Sequence, residues 1–329
     1  MEEFSMLGRE QAIKKLKIID GHCDSLLGVL NDNRKLGILS EEGQADFPRL
    51  IEGGVKLQFF AVFIESRYKP KQSVLRALEG IEAFHREIEE NNDLVFLVDS
   101  KRQLEVLFND DRKIGALLAI EGGEALGGQL SMLGILYRLG VRCLGLTWNQ
   151  RNEIADGVGI GPEHQGLTEF GRQVIERMNE LGMLIDLAHI AEKGFWDTLK
   201  CSRKPVIVTH ANCRSLCDHP RNLSDQQLRA LAEQGGCLGI TFVPQFVDQK
   251  ASSLEKVVRH IQYAVQKMGE DHVGLGSDFD GMDTRVQGLE EARKFPFLAE
   301  VLKNKGFSET VIEKIMGTNW LRILREQLK

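Results

Sequence analysis

The chain carries short runs of consecutive apolar residues, with longer amphipathic segments between them. Apolar runs without polar alternation are typical of strands that are buried on both faces, as in a parallel sheet. We predict eight such strands, at residues 17–20, 57–64, 116–120, 142–147, 184–187, 206–209, 237–242 and 273–276. A ninth run, residues 94–98, is predicted to be an extra or edge strand.

The segments between these runs predict helices, because polar capping residues stand just before their apolar faces. Thr168 can cap one helix. Ser224 and Gln227 have the spacing of a capping box, and Ser252 and Glu255 repeat it. Strand–helix alternation with eight strands predicts an α/β protein with a (β/α)8 or TIM barrel. A doubly wound open sheet is the alternative, although no GxGxxG follows the first strand to support a dinucleotide-binding version.

Composition narrows the class of protein. We find no internal repeat or linker, which favours one domain over residues 1–329. The net charge of −6, without a long basic run, argues against a nucleic-acid partner. No apolar run is long enough for a membrane span, residues 1–15 lack an apolar signal core, and residues 321–329 are too polar for a lipid-anchor signal. We therefore expect a cytoplasmic protein whose six cysteines are thiols; the sequence leaves a homodimer open.

Polar side chains follow several of the predicted strands at the point where each strand ends. Barrel active sites lie at this carboxyl end, so we expect these side chains to meet there. Histidine and carboxylate groups together suit zinc, with other divalent ions as alternatives. Six groups exceed the needs of one tetrahedral ion, and two ions with a shared carboxylate fit the number better. The six are His22, Asp24, Glu121, His189, His210 and Asp278.

The segment that follows the sixth barrel strand offers a competing metal site. His210, Cys213, Cys217 and His219 have a spacing that locally resembles a zinc cluster. Small buried thiols are the simpler interpretation of the two cysteines. The remaining histidines fall in predicted helices or loops and are interpreted as surface or structural residues: His85, His164, His260 and His272.

Several segments resemble the membrane dipeptidases, the M19 metallopeptidases of the amidohydrolase superfamily. The matching segments are IIDGHCD at 18–24, AIEGG at 119–123, LIDLAH at 184–189, VIVTHANCRSLCDHPRN at 206–222, GLGSDFDG at 274–281 and KIMGTNWLRIL at 314–324. They span nearly the whole chain. The resemblance implies a barrel of the metal-dependent hydrolase type with two bound zinc ions.

The resemblance also implies a role for each site residue. His22 and Asp24 would hold one zinc ion, and His189 and His210 the other. Glu121 would bridge the pair and Asp278 would transfer protons. Arg221, eleven residues after His210, would bind the terminal carboxylate of the substrate, for which its planar fork is suited.

One position departs from the family pattern. Family members have a substrate-binding histidine after the fourth barrel strand, in an LTH segment, whereas this chain has Trp148 there. The indole N–H can donate a hydrogen bond but cannot accept one. Asn149 or Asn152 could take over part of the role. The departure concerns substrate contacts and transition-state stabilisation, and leaves the metal site intact.

The resemblance implies a zinc-dependent dipeptidase, in which hydroxide bridging two zinc ions attacks the scissile carbonyl. Its expected substrates are dipeptides, L-D dipeptides included. An alternative keeps the site but hydrolyses a lactone, another amide or an N-acyl amino acid. A second alternative is a catalytically silent barrel that serves as a scaffold, which would be expected to have lost at least one ligand.

Overall fold

The computed structural model describes residues 16–110 and 112–329. Nine parallel strands lie within these ranges, and their bounds are β1 Ile18–Cys23, β2 Val55–Phe63, β3 Val95–Leu97, β4 Ile114–Glu121, β5 Val141–Gly145, β6 Leu184–Asp186, β7 Ile207–Ala211, β8 Cys237–Ile240 and β9 Val273–Leu275. Every predicted strand is present. Residues 1–15, in which the sequence predicts no signal peptide, lie outside the described residues.

Eight of the strands close into a barrel in the order β2-β1-β9-β8-β7-β6-β5-β4, and β4 pairs with β2 to complete the ring. All neighbouring strands run parallel. The predicted (β/α)8 barrel is therefore confirmed, and the open doubly wound sheet is excluded. Because the strands are parallel, all their carboxyl ends open on the same mouth of the barrel.

Strand β3, which lies outside the ring of eight, accounts for the extra apolar run at residues 94–98. It pairs with the first residues of β4, from Val95 opposite Ile114 to Leu97 opposite Ala116. Pairing of β4 with β5 begins only at Leu118. β3 thus covers an edge of β4 that β5 leaves open, which satisfies backbone groups that an exposed edge would present to solvent.

Helices follow the strands and pack around the barrel. In the described part of the chain they are α1 Ser25–Asp32, α2 Phe47–Glu52, α3 Ser73–Glu90, α4 Lys101–Asn109, α5 Leu130–Arg138, α6 Glu169–Leu181, α7 Glu192–Cys201, α8 Asp225–Glu233, α9 Pro244–Val247, α10 Leu254–Met268, α11 Phe295–Asn304, α12 Glu309–Glu313 and α13 Asn319–Gln327. Short 3-10 segments lie at Ser66–Tyr68, Gly123–Leu126, Val158–Glu163 and Ala292–Lys294, and a π segment at Lys314–Thr318. None of the described helices has the length and apolarity that crossing a membrane requires.

Two of the three predicted helix caps form. Thr168 accepts from the backbone N–H of Gly171, and Ser224 makes a complete capping box with Gln227. The third prediction was wrong, since α10 begins one residue later with Ser253 as its N-cap and no side-chain capping bond. Ser253 forms a parallel bridge with Gln287, and the carbonyl of Gln287 accepts from the N–H of Leu254. This pairing keeps residue 253 extended and sets the start of the helix.

Candidate metal centre at the barrel mouth

The structure brings the six predicted side chains together at the carboxyl ends of the strands. Each is buried, and they come from five strands of the barrel: His22 and Asp24 from the end of β1, Glu121 from β4, His189 from the loop after β6, His210 from β7 and Asp278 from the loop after β9. Their convergence was predicted from their shared position after apolar strands.

One group of potential ligands forms around His22. Its Nε2 lies 3.7 Å from Asp24 Oδ2, 3.8 Å from Asp278 Oδ1 and 4.0 Å from Glu121 Oε1. Neither His22 Nε2 nor Asp24 Oδ1 has a hydrogen-bond partner, although both atoms are buried. Buried polar atoms of this kind are normally satisfied, and an imidazole nitrogen beside a carboxylate oxygen suits a cation ligated by both residues.

A second group forms around Glu121. Its Oε1 lies 2.8 Å from Nε2 of His189 and 3.4 Å from Nε2 of His210, and the two Nε2 atoms are 2.9 Å apart. Because Glu121 also faces His22, its carboxylate lies between the two groups. This is the position that a bridging ligand requires.

The partners of the two histidines fix which ring nitrogen carries the proton. The hydroxyl of Thr209 donates to Asp186 Oδ2 at 2.6 Å, so it can only accept from His210 Nδ1 at 2.9 Å. The side-chain oxygen of Asn149 accepts from His189 Nδ1 at 2.8 Å. Both rings therefore present Nε2 lone pairs to Glu121 and to each other. Such an arrangement is repulsive without a cation and suited to metal ligation.

The electrostatics of the cluster also favour a cation. Burial alone would lower the pKa of His22, but Asp24, Glu121 and Asp278 raise it to about 10. Burial, together with Asp24 and Glu121, raises the pKa of Asp278 to about 8. Burial lowers the pKa of His189 to about 3 and that of His210 well below its usual value, so both rings are neutral. Clustered carboxylates beside neutral imidazoles match the donor set of a divalent ion.

Two members of the cluster have a left-handed backbone. The φ angles of His189 and Asp278 are 66° and 65°, a conformation that side chains with a Cβ rarely adopt. Backbone strain of this kind is typical of functional sites. Gly281 belongs to the same turn as Asp278, and a Cβ at that position would clash with the carboxylates of Asp24 and Asp278. The glycine therefore allows the two carboxylates to approach.

Arg221 points into the mouth from the β7 side. It is buried, and its Nη2 donates to the carbonyl of His210 at 3.0 Å, while its Nε has no partner. Its guanidinium lies 5.4 Å from the ring centroid of Phe246. Burial lowers the pKa of Arg221 to about 10, and the nearby Asp278 and Glu121 partly oppose this shift. The group remains a cation at neutral pH with a free donor, as binding of a substrate carboxylate would require.

Trp148 and Asn149 both contact the imidazole ring of His189. The indole ring packs against the imidazole of His189 with centroids 5.8 Å apart, and against Phe63 at 5.1 Å. Asn149 has its side-chain oxygen on His189, which places it behind this ring. Asn152 accepts from the N–H groups of Ile154 and Ala155 and so fixes its own loop.

Sequence reasoning missed the side chains that support the ligands. Asp186 accepts from the backbone of Ala188 and from both the N–H and the hydroxyl of Thr209. Asp20 accepts from the N–H and hydroxyl of Ser277, which links the ends of β1 and β9. The signal was present, because each aspartate directly follows two apolar residues of a buried strand.

The competing zinc cluster does not form. Cys213 Sγ contacts the carbonyl of His260 and Cys217 Sγ that of Gln245, while His219 packs on Phe246. Neither cysteine belongs to a group of three metal-ligating side chains among the residues that the structure covers; such groups contain only His22, Asp24, Glu121, His210 and Asp278. All six cysteines are free thiols, as predicted.

Comparison with known proteins agrees with the site. The family model described as membrane dipeptidase (peptidase family M19) matches residues 8–329. Dipeptidase aclJ of Aspergillus oryzae is 34% identical over 335 residues, covering 96% of this chain and 79% of that protein. Dipeptidase tcpJ of Claviceps purpurea is 34% identical over 295 residues, covering 86% of this chain and 69% of that protein.

A solved structure is similar over almost the whole fold. A metallopeptidase from Rhodobacter sphaeroides, crystallised with a phosphinate mimic of the dipeptide L-Ala-D-Ala, superposes with a TM-score of 0.89 at 28% identity. The match covers 95% of this chain and 99% of the other. The family match over nearly all of the chain, the barrel and the buried ligand cluster lead to one conclusion: this chain belongs to the membrane dipeptidases of peptidase family M19 and is a metallo-dipeptidase.

Proposed function

We propose that this dipeptidase holds two divalent cations, preferably zinc, and that its substrates include L-D dipeptides. The observation that carries the proposal is the convergence of two Nε2 lone pairs on Glu121, beside the unsatisfied atoms of His22 and Asp24. His22 and Asp24 would hold one ion, His189 and His210 the other, with Glu121 shared. Bound there, the ions would polarise the scissile carbonyl and lower the pKa of a water nucleophile.

Asp278 is the proposed proton-transfer group. Its carboxylate lies 3.8 Å from His22 Nε2 and 4.0 Å from His210 Nε2, so it faces both halves of the cluster. From that position it can accept a proton from the attacking water and pass it to the leaving amine. The left-handed backbone at residue 278 belongs to the turn that brings this carboxylate beside His22 and His210.

Arg221 is the proposed anchor for the carboxylate of the C-terminal residue. A charge-assisted bond from its unpartnered Nε would satisfy a buried donor and at the same time select substrates that end close to the scissile bond. A long peptide continues past this point and offers no carboxylate there. This argument favours dipeptides over longer chains.

The proposal for L-D substrates is supported by similarity. The Rhodobacter sphaeroides metallopeptidase was crystallised with a mimic of L-Ala-D-Ala. The preference for zinc is supported by the mixture of imidazole and carboxylate donors. We also propose a cytoplasmic location, which the six free thiols support.

A kinetic screen tests the proposal. The metal-replete enzyme would be assayed on L-Ala-L-Ala, L-Ala-D-Ala, the C-terminal amide of each, an N-acetyl amino acid and a lactone, with metal content measured in parallel. Hydrolysis of L-Ala-D-Ala with about two equivalents of metal per chain is expected. Turnover of lactones but of no dipeptide would contradict the proposed substrate. A protein without metal or turnover would indicate a silent scaffold.

A further inference from the structure

Lys69 carries a buried ammonium group at the rim of the candidate metal centre. It follows β2 at the carboxyl end of the barrel, and its side chain is 11% exposed. The ammonium lies 5.0 Å from the ring centroid of Trp148 and 5.4 Å from that of Phe63. Trp148 in turn packs on the proposed metal ligand His189. Lys69 therefore stands one aromatic ring away from the metal centre.

Glu124 satisfies the ammonium of Lys69 only in part. Lys69 Nζ forms an ion pair with Glu124 Oε1, and this pair is the one ionic contact of the ammonium among the described residues. The aromatic faces beside it attract the charge but supply no lone pair. A lysine ammonium has three donors, and burying those that Glu124 does not reach is costly. An acceptor from a ligand would remove this cost.

Glu124 orients Lys69 rather than competing for substrate. It lies in the 3-10 segment Gly123–Leu126, three residues after Glu121, so one turn carries both a proposed metal ligand and the partner of Lys69. Its Oε2 accepts from Asn152 Nδ2 at 3.0 Å. Asn152 and Lys69 each engage one oxygen, so both oxygens of the Glu124 carboxylate already have a partner.

Lys69 and Arg221 lie at the two ends of a row of contacts that crosses the ligand cluster. Arg221 donates to the carbonyl of His210, and His210 Nε2 lies 2.9 Å from His189 Nε2. His189 packs on Trp148, whose ring lies beside the ammonium of Lys69. A dipeptide whose carboxylate is on Arg221 and whose scissile carbonyl is at the metal centre would extend its N-terminal residue along this row, towards Trp148 and Lys69.

We propose that Lys69 and Trp148 form the subsite for the N-terminal side chain of the substrate, and that Lys69 selects aspartyl and glutamyl dipeptides. The indole face packs on the methylene groups of the side chain, and the ammonium binds its carboxylate. The inference rests on the proposed binding direction, with Arg221 as the anchor for the C-terminal carboxylate. The inference also predicts that dipeptides with an N-terminal lysyl residue are poor substrates, because their side-chain ammonium would face Lys69.

The test compares matched dipeptides that differ only in the N-terminal side chain. The substrates are Glu-Ala, Gln-Ala, Lys-Ala and Ala-Ala, all with the alanine stereoisomer that the wild-type enzyme accepts. We expect kcat/KM for Glu-Ala to exceed that for Gln-Ala by about tenfold, mainly through KM, as for one charge-assisted bond. Lys69→Met should reduce this ratio to about one, because the carboxylate of the ligand loses its charged partner.

Two further variants keep the outcome clear. Lys71→Met removes an exposed positive charge from the same segment and should preserve the Glu/Gln ratio. Lys69→Arg keeps the charge and should preserve most of the ratio even if Lys69→Met fails to fold. Equal wild-type rates on Glu-Ala and Gln-Ala, or equal losses on all substrates in Lys69→Met, would overturn the inference. Failure of the wild-type enzyme on every dipeptide would instead remove the proposed function on which the inference rests.

Discussion

Asp186 is joined to His210 through a single hydroxyl group. Thr209 Oγ1 lies 2.6 Å from Asp186 Oδ2 and 2.9 Å from His210 Nδ1. Because the hydroxyl donates to the carboxylate, it accepts from the imidazole and leaves Nε2 of His210 as the atom that faces Glu121. A supporting carboxylate thus sets the tautomer of a proposed metal ligand without contacting its ring nitrogen directly.

The first prediction concerns this link. Thr209→Val keeps the shape of the side chain but leaves His210 Nδ1 without an acceptor. Metal affinity or activity should fall about 10- to 100-fold, the range for outer-shell partners of metal-binding histidines. Isothermal titration of the metal-stripped variant measures the affinity. Thr241→Val, an equally buried change at the end of β8, should leave the affinity unchanged. Equal losses in both variants would indicate a general effect on packing.

The second prediction concerns metal removal. Chelation should lower the melting temperature, because ions that bind only the folded state stabilise it by about 2.7 kcal/mol at a hundredfold excess over Kd. Glu121→Gln should bind fewer ions than the wild type, since Glu121 Oε1 faces His22, His189 and His210. Elemental analysis and thermal unfolding measure both effects. Full occupancy in Glu121→Gln would contradict the bridging role.

The third prediction concerns Asp278. If it transfers protons, Asp278→Asn should retain metal and lose about 10²- to 10⁴-fold in kcat, the usual contribution of general acid–base groups. Asp283→Asn, an exposed change in the same loop, serves as the control and should behave as the wild type. Loss of metal in Asp278→Asn would show that this residue acts chiefly as a ligand.

The fourth prediction concerns Arg221. Arg221→Ala should lose about 10- to 150-fold in kcat/KM on dipeptides, corresponding to a charge-assisted bond of about 1.5–3 kcal/mol. Dipeptide amides, which lack the carboxylate, should be affected much less. Arg214→Ala removes an arginine that donates only to the backbone carbonyls of Asn222 and Pro220, and should show no such selectivity. Equal losses on free and amidated dipeptides would assign Arg221 a structural role.

The fifth prediction concerns the loop after β5. The hydrogen bonds that Arg151 donates to Asp156 lower the pKa of this carboxyl below 3.8. A carboxyl with a depressed folded pKa stabilises the protein above its unfolded pKa, and this contribution is lost as pH falls through the folded value. The difference in melting temperature between wild type and Asp156→Asn should therefore be constant near neutrality and shrink below about pH 4. A difference that persists at low pH would point to the backbone contact with Gln165 instead.

The sequence was sufficient for the strands, for their parallel arrangement and for the residues at their ends. A run buried on both faces must be apolar, so His22, Glu121 and His210 stand out where such runs end. Parallel strands bring those ends to one mouth, so the cluster could be inferred without coordinates. The family resemblance added the roles, which spacing alone does not give.

Only the tertiary structure decided how these groups face one another. The link from Asp186 through Thr209 to His210, and the contact of Asn149 with His189, depend on side chains of neighbouring strands that are far apart in sequence. The row of contacts from Arg221 through His210, His189 and Trp148 to Lys69 joins loops that follow different strands. Local patterns record which residues are buried, whereas hydrogen-bond partners, ring orientation and the sides of a pocket arise when distant segments pack. For that reason the ligands were predictable, whereas the hydrogen-bond partners of their supporting side chains were not.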